Sequence, residues 1–191
     1  MEAFLVSAGV VALAEIGDKT QLLAFVLAAR YRRPVPIIAG ILVATLVNHA
    51  LAGVVGRWLM LAIGPDRMRW GLAASFFAMA IWILVPDKLD DDDAPKQRFG
   101  VFGTTLITFF LAEMGDKTQI ATIALAAKYA SVYAVVAGTT LGMMLANVPA
   151  VLVSNRLAER LPTRWIHAVA AGIFTLLGAL VAFGSTDGLL R

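Results

Sequence analysis

Residues 13–31, LAEIGDKTQLLAFVLAARY, return almost unchanged at residues 111–129 as LAEMGDKTQIATIALAAKY. Twelve of the nineteen positions are identical, and the offset between the copies is 98 residues. Each copy contains the acidic motif Glu-x-Gly-Asp-Lys-Thr-Gln, at residues 15–21 and again at residues 113–119. The similarity extends past the motifs into the following segments, so the sequence indicates two related halves.

The composition around these motifs is strongly apolar. Of the 191 residues, 60% are hydrophobic and 15% are charged, and the mean hydropathy is +0.81. Soluble domains are about 45–50% apolar and about 25% charged, so we expect an integral membrane protein whose surroundings are a lipid bilayer. A membrane helix needs about 20 mostly apolar residues. Six segments meet this need: 3–29, 35–56, 69–86, 100–127, 132–155 and 165–184.

Three segments fall in each half, and this odd number determines the predicted symmetry. The second half must cross the membrane in the opposite sense to the first, as in secondary transporters with inverted repeats. The predicted fold is therefore an all-α integral membrane protein with six transmembrane helices in two inverted three-helix repeats. We expect the first repeat at 1–88, an acidic linker at 89–98 and the second repeat at 99–191.

The distribution of basic residues predicts the orientation. Leaving out the motif lysines, nine Lys and Arg residues follow the first, third and fifth segments, and five lie on the other side. Cytoplasmic loops hold the excess of Lys and Arg. Both termini are therefore predicted to be periplasmic, and the loop from Asp87 to Arg98 to be cytoplasmic.

The absence of cysteine and the scarcity of histidine exclude several functions. There are no cysteines and only two histidines, His49 and His167, which lie in different segments. Thiol chemistry is excluded, and no histidine zinc site of ordinary spacing is available. The net charge of +3 comes without a basic stripe interleaved with aromatic residues, so no nucleic-acid partner is expected.

The two motifs are predicted to lie near the middle of the membrane. Twelve apolar or small residues precede each motif glutamate, which corresponds to about 18 Å of helix. Ionisable groups are costly there and are candidates for function. A purely structural alternative is a set of Glu–Lys bridges between helices, but each motif has one more acid than it has bases.

The polar side chains of the motifs suit a divalent cation. Four carboxylates with the charge-balancing residues Lys19 and Lys117 give a net charge of −2, which matches one divalent cation or two protons. Oxygen ligands favour Ca²⁺, Mg²⁺ and Mn²⁺. The predicted metal ligands are Glu15, Asp18, Thr20, Gln21, Glu113, Asp116, Thr118 and Gln119.

The spacing within a motif also predicts its geometry. In an ideal helix Glu15, Asp18, Lys19 and Gln21 share one face, whereas Thr20 points elsewhere. Gly17 and its repeat Gly115 are predicted kinks, at which a helix can unwind and bring the threonine into the site.

Other polar residues allow two interpretations. Asn48 and His49 lie in the second segment and Asn147 in the fifth, where they could complete a metal shell or bond to a neighbouring helix. The second interpretation is favoured because polar residues commonly join membrane helices. The run at 90–93, four aspartates, is expected to be a solvated loop, with a cation-sensing role as the alternative.

The duplicated motif resembles that of uncharacterised protein family 0016, the cation/proton antiporters related to the eukaryotic Golgi manganese and calcium transporters. Residues 15–20 and 113–118 follow the family pattern without departure, and the resemblance covers essentially the whole chain. It implies export of Mn²⁺, or alternatively Ca²⁺, in exchange for protons at the acidic motifs, with no cofactor besides the transported ion. The compact chain resembles bacterial members, which places it in the inner membrane.

Two other functions compete with this interpretation. A cation channel could use the same acids, but selective channels usually repeat one pore element around an axis along the pore. An intramembrane enzyme could use paired acids, but each acid is accompanied by a lysine, and neither a nucleophile nor a metal-activating histidine lies beside it. Whether the chain forms a homo-oligomer is left open by the sequence.

Overall fold

The computed structural model describes residues 1–85, 99–153 and 163–183. The predicted linker with its four aspartates lies outside these residues. Within them the chain is all helical, with eight helices rather than six. They are α1 (Glu2–Glu15), α2 (Lys19–Tyr31), α3 (Pro34–Ile63), α4 (Pro65–Trp82), α5 (Gly100–Glu113), α6 (Lys117–Lys128), α7 (Val132–Val153) and α8 (Thr163–Phe183).

The larger number of helices arises because two predicted segments are each divided by a motif. Segment 3–29 is α1 followed by α2, and segment 100–127 is α5 followed by α6. The remaining boundaries follow ordinary chain chemistry. Pro34 and Pro65 stand at the first positions of α3 and α4, where the missing proline N–H costs nothing. Gly64 separates these two helices with a φ of 81°, a conformation that favours glycine.

The two halves repeat a close contact between helices. Gly40 of α3 lies against α5, where an added Cβ would come within 2.8 Å of Thr105 Cβ. Gly138 of α7 lies against α1 in the same manner, and an added Cβ would come within 3.0 Å of Ser7 Cβ. Both residues of one contact are 98 positions from those of the other, so the repeat in the sequence is also a repeat in packing.

The apolar interior consists of two separate cores. The first core joins α1, α4, α6 and α8 with the end of α3 and the start of α7. The second core joins α2 and α5 with the start of α3 and the end of α7. Each motif therefore lies between the two cores, because it divides a helix of the first core from a helix of the second.

The outer surface is unusually apolar. In the described part of the chain, α3 and α7 are single helices long and apolar enough to cross a membrane, and α5 is apolar but shorter. Large apolar side chains on α3 face outward, among them Leu46 at 47% and Val54 at 64% exposure. Extended exposed apolar surface of this kind is suited to contact with lipid.

Candidate metal centre

Each motif interrupts its helix for three residues. Gly17 and Gly115 take left-handed conformations with φ of 85° and 78°, which glycine adopts without steric cost. The side chain of Gln21 closes the first interruption, since its Oε1 accepts the Gly17 N–H at 2.8 Å. Gln119 does the same for Gly115 at 2.8 Å. Both glutamines thus satisfy backbone groups that the broken helix leaves without partners.

The interruption corrects the prediction from an ideal helix. Glu15 ends α1, whereas Asp18 is the N-cap of α2 with an extended backbone. The four residues placed on one helical face therefore belong to two different helices. Thr20, expected to point away unless the helix unwinds, is instead directed at Glu15. The predicted kinks at the two glycines are complete breaks.

The two glutamates are held identically by the threonines of their own motifs. Thr20 Oγ1 donates to Glu15 Oε2 at 2.7 Å, and Thr118 Oγ1 donates to Glu113 Oε2 at 3.0 Å. Both glutamates are fully buried. Within the described residues, the Oε1 atom of each glutamate has no hydrogen-bond partner. One oxygen of each carboxylate is therefore oriented, and the other remains available to a ligand.

Carboxylates from both halves meet at one point. One ligand oxygen each from Glu15, Glu113 and Asp116 lies within 4.8 Å of the others, and all three residues are buried. Oxygens at this separation can reach a common divalent cation such as Ca²⁺, whose oxygen ligands lie about 2.3–2.6 Å from the ion. The fourth motif carboxylate, Asp18, is not a member of this cluster.

The lysines pair across the two halves rather than within them. Lys19 Nζ lies 3.5 Å from Asp116 Oδ1, and Lys117 Nζ lies 3.3 Å from Asp18 Oδ1. Each motif thus supplies the cation for the aspartate of the other. The two glutamates receive hydroxyl donors from their own motif instead, so lysine neutralises the aspartates while the glutamates keep their acceptor capacity.

The two lysines differ in their surroundings. The Lys117 side chain is 2% exposed, whereas that of Lys19 is 28% exposed. The backbone oxygen of Val85, which follows α4, lies 3.5 Å from Lys117 Nζ. On α8, His167 Nε2 lies 2.7 Å from the backbone oxygen of Ile16 in the first interruption. The residue after α4 thus contacts the second motif, and a residue of α8 contacts the first.

Of the remaining polar candidates Asn48, His49 and Asn147, the first contacts a neighbouring helix. Asn48 Nδ2 donates to the backbone oxygen of Phe110 on α5 at 3.0 Å. Asn147 Nδ2 donates within its own helix to Met143 O at 3.1 Å. His49 is fully buried, and its ring nitrogens have no hydrogen-bond partner among the described residues. His49 is not a member of the cluster formed by Glu15, Glu113 and Asp116.

Sequence reasoning missed the contacts of His167 and Val85 with the motifs. Val85 acts through its backbone, for which the sequence holds no signal. For His167, the sequence does hold a signal. Aligning Arg164-Trp165 with Arg69-Trp70 places His167 opposite Leu72, and a polar residue that replaces leucine in one repeat alone is a candidate for a specific contact.

The chain that contains this duplicated acidic centre is similar to known transporters. The chain matches the family described as "Divalent cation/proton antiporter GDT1" over residues 3–91 and 101–188. A Vibrio cholerae protein named "Putative manganese exporter" is 52% identical over 184 residues, covering 96% of this chain and 92% of that protein.

More distant relatives come from Synechocystis and from Oryza sativa. A GDT1-like protein of Synechocystis is 28% identical and covers 94% of this chain and 96% of its own length. GDT1-like protein 3 of Oryza sativa subsp. indica is 27% identical, covering 91% of this chain and 71% of its own length. No solved structure matches the chain. The family expected from the motifs is confirmed: the chain belongs to the GDT1 family of divalent cation/proton antiporters and is a membrane transporter of divalent cations.

Proposed function

We propose that this protein exports Mn²⁺ from the cytoplasm of a bacterial cell in exchange for protons, with the two acidic motifs as the transport site. The observation that supports this proposal most strongly is the buried cluster of Glu15, Glu113 and Asp116, in which one carboxylate oxygen of each residue lies within 4.8 Å of the others. The name of the Vibrio cholerae relative favours manganese among the ions that oxygen ligands suit. Ca²⁺ is the second candidate substrate.

The three clustered carboxylates are the proposed first ligands of the ion. Thr20 and Thr118 hold the two glutamates so that one oxygen of each faces the ion. Asp18 lies beside Lys117 in this arrangement, and it is proposed to join the ligands when that ion pair opens. Gln21 and Gln119, predicted as ligands, are assigned to closing the helix breaks, because their Oε1 atoms accept backbone N–H groups.

Charge balance supports exchange with protons. Four carboxylates and two lysines give the site a charge of −2, so binding one divalent cation or two protons makes it neutral in either case. A neutral site is far less costly to move or enclose within a membrane than a charged one. Two protons taken up from outside would release the metal there, and their loss to the cytoplasm would allow the next metal to bind. Exchange of two protons for one metal ion moves no net charge.

Purified protein in liposomes tests this function directly. An imposed pH gradient should drive Mn²⁺ against its own gradient, with saturation at high Mn²⁺ and opposite movement of protons recorded by an internal pH dye. Glu15→Gln and Asp116→Asn should each abolish transport, because an amide cannot exchange a proton for metal. Asp66→Asn, at an exposed carboxylate in the first turn of α4, is the control and should transport normally.

The outcome also separates exchange from a channel. Flux that ignores the pH gradient, or that persists in the Glu15→Gln/Asp116→Asn double variant, would contradict the proposal. Competition by Ca²⁺ and Mg²⁺ in the same liposomes ranks the substrates. If Ca²⁺ halves Mn²⁺ uptake at a concentration below that which gives half-maximal Mn²⁺ uptake, calcium binds the transport site more tightly than manganese.

The proposed orientation can be tested independently. Both termini are proposed to be periplasmic and the loop between the halves cytoplasmic, in an inner membrane crossed by two inverted three-helix repeats. Because the chain has no cysteine, single cysteines at Asp91 and Ser185 can report their side of the membrane. A reagent that cannot cross the membrane should label position 185 alone in intact cells, and labelling at position 91 would reverse the orientation.

A further inference from the structure

The first interruption is a tight turn of a recognisable type. The N–H of Asp18 donates to the backbone oxygen of Glu15 at 3.0 Å. Between them, Ile16 has φ of −67° and ψ of 114°, and Gly17 has φ of 85°. These values describe a type II β-turn, whose third residue needs a positive φ. The peptide that joins Ile16 to Gly17 is the middle peptide of this turn.

The second motif forms the same turn. The N–H of Asp116 donates to the backbone oxygen of Glu113 at 3.2 Å, Met114 has φ of −67° and ψ of 119°, and Gly115 has φ of 78°. A type II turn becomes a type I turn when its middle peptide reverses. The carbonyl of that peptide then points to the opposite side of the turn, so the contacts of the middle peptide decide which form persists.

The middle peptide of the first turn is held at both of its ends. Its N–H, on Gly17, donates to Gln21 Oε1 at 2.8 Å, and Gln21 Nε2 donates in turn to Ala146 O on α7 at 3.0 Å. Its carbonyl, on Ile16, lies 2.7 Å from His167 Nε2 on α8. Because a carbonyl oxygen can only accept, Nε2 carries the proton and donates. Reversal of this peptide would break the bonds at both ends.

The second turn lacks a counterpart of the histidine bond. The N–H of Gly115 donates to Gln119 Oε1 at 2.8 Å, as in the first turn. The residue of α4 that matches His167 is Leu72, whose side chain has no donor. Leu72 is 1% exposed and packs in the first core, with the other apolar residues of α4. The two turns are therefore alike in backbone shape and differ in what the last helix of each half gives them.

From these contacts we infer that His167 is a positioning residue of the transport site, which locks the first turn in its type II form and thereby holds Glu15 and Asp18 in place. The lock acts through the backbone. Glu15 and Asp18 are the first and last residues of the turn, so reversal of its middle peptide would redirect the chain that carries both carboxylates. The effect of the lock on metal binding rests on the proposed transport function, whereas its effect on the turn does not.

Hydrogen exchange followed by mass spectrometry measures the lock without measuring transport. The segments 15–21 and 113–119 differ only at Ile16 and Met114, so each serves as an internal control for the other. In His167→Leu, exchange in segment 15–21 should become about two- to tenfold faster, which is the effect of losing one ordinary hydrogen bond. Exchange in segment 113–119 should stay as it is in the parent protein.

Three further variants separate the hydrogen bond from the packing of the ring. His167→Gln places an amide N–H as many bonds from the main chain as Nε2 of histidine, and it should restore slow exchange. His167→Asn is also polar, but its N–H corresponds to Nδ1, so it should behave like His167→Leu. Thr175→Val is the control on the same helix, because its hydroxyl donates within α8 to Ala171 O, and it should change neither segment.

Transport then tests whether the lock acts on the metal through Glu15. His167→Leu should raise the Mn²⁺ concentration for half-maximal transport by about two- to tenfold. In a Thr20→Val background, which already releases Glu15, the same change should have a smaller effect, because both substitutions loosen one carboxylate. In a Thr118→Val background, which releases Glu113 of the other motif, His167→Leu should keep its full effect.

The results distinguish the lock from its alternatives. Unchanged exchange in segment 15–21 of His167→Leu overturns the lock, even if proton-driven transport is confirmed. Faster exchange in both segments also overturns it, because that result indicates a loosened fold, and so does fast exchange in His167→Gln. Equal effects of His167→Leu in the Thr20→Val and Thr118→Val backgrounds overturn the assigned action through Glu15. If exchange changes as expected but the parent protein transports no metal, the lock stands and the proposed function fails.

Discussion

Lys117 of the second motif lies 3.3 Å from Asp18 of the first, across 99 residues of sequence, and both side chains are 2% exposed. The equivalent pair, Lys19 with Asp116, is 3.5 Å apart, and its lysine is 28% exposed. The two pairs are thus alike in chemistry and different in burial. Because screening by solvent weakens an exposed pair, the buried pair should matter more to stability.

Replacing the two lysines one at a time tests this difference. Lys117→Gln removes the lysine beside the buried Asp18, and breaking a typical buried ion pair costs about 3–5 kcal/mol. Lys19→Gln should cost clearly less, because its partly exposed side chain is screened. Thermal unfolding in detergent measures both. Adding Asp18→Asn to Lys117→Gln should recover part of the loss, and equal losses for the two single variants would contradict the expected order.

The motif threonines should affect metal affinity through the glutamates they hold. Thr20→Val removes a donor to Glu15, and hydrogen bonds to charged groups contribute about 1.5–3 kcal/mol. We expect the Mn²⁺ concentration for half-maximal transport to change by at least about tenfold, while Thr20→Ser keeps the hydroxyl and most of the affinity. Thr175→Val is a control, because that hydroxyl donates only to a backbone oxygen of its own helix, Ala171 O. An unchanged half-maximal concentration in Thr20→Val would show that this bond does not position the glutamate.

The left-handed glycine of the second motif should resist substitution for a conformational reason alone. An added Cβ at Gly115 would meet nothing within 4 Å, but its φ of 78° costs other residues about 1–2 kcal/mol. Gly115→Ala should therefore lower the unfolding free energy by that amount. Gly172→Ala, also with open space but inside α8, should raise stability by about 1 kcal/mol. Equal thermal shifts of the same sign would refute this assignment.

The glycine contact between α7 and α1 should be more sensitive still. A Cβ at Gly138 would overlap the backbone oxygen of Phe4, so Gly138→Ala must push two helices apart. Its counterpart Gly40→Ala meets mainly the Thr105 side chain, at 2.8 Å, with the Phe102 oxygen at 3.0 Å. Both should lower yield and melting temperature, Gly138→Ala more strongly. Overpacking of this kind costs about 1–3 kcal/mol or more. A Gly138→Ala protein as stable as the parent would show that the helices separate easily.

Many residues of this site can be predicted from the sequence, because the repeated motif places ionisable residues inside apolar segments. Two apolar segments with six ionisable groups identify Glu15, Asp18 and their repeats directly. The pairing of Lys19 with Asp116 does not follow, since it depends on how the halves meet. The position of Thr20 also depends on the left-handed turn at Gly17, which the sequence allows but does not require.

The difference in exposure between repeat-related positions of α2 and α6 is the feature that the sequence predicts least. Ala124 and Val26 occupy equivalent positions in two nearly identical segments, and pattern alone predicts equal burial. Val26 is 41% exposed and Ala124 3%, because α4 and α8 pack with α6 in the first core and contribute no residue to the second.

The interrupted helices also shape the electric field at the metal centre. Aligned peptide dipoles give a helix about half a positive charge at its start and half a negative charge at its end. The ends of α1 and α5 therefore present negative potential beside Glu15 and Glu113, while the starts of α2 and α6 present positive potential beside Asp18 and Asp116. No group in these dipoles ionises, so their field is the same at every pH. Competition between metal and protons is then decided by the side chains alone, against a fixed background that the backbone supplies.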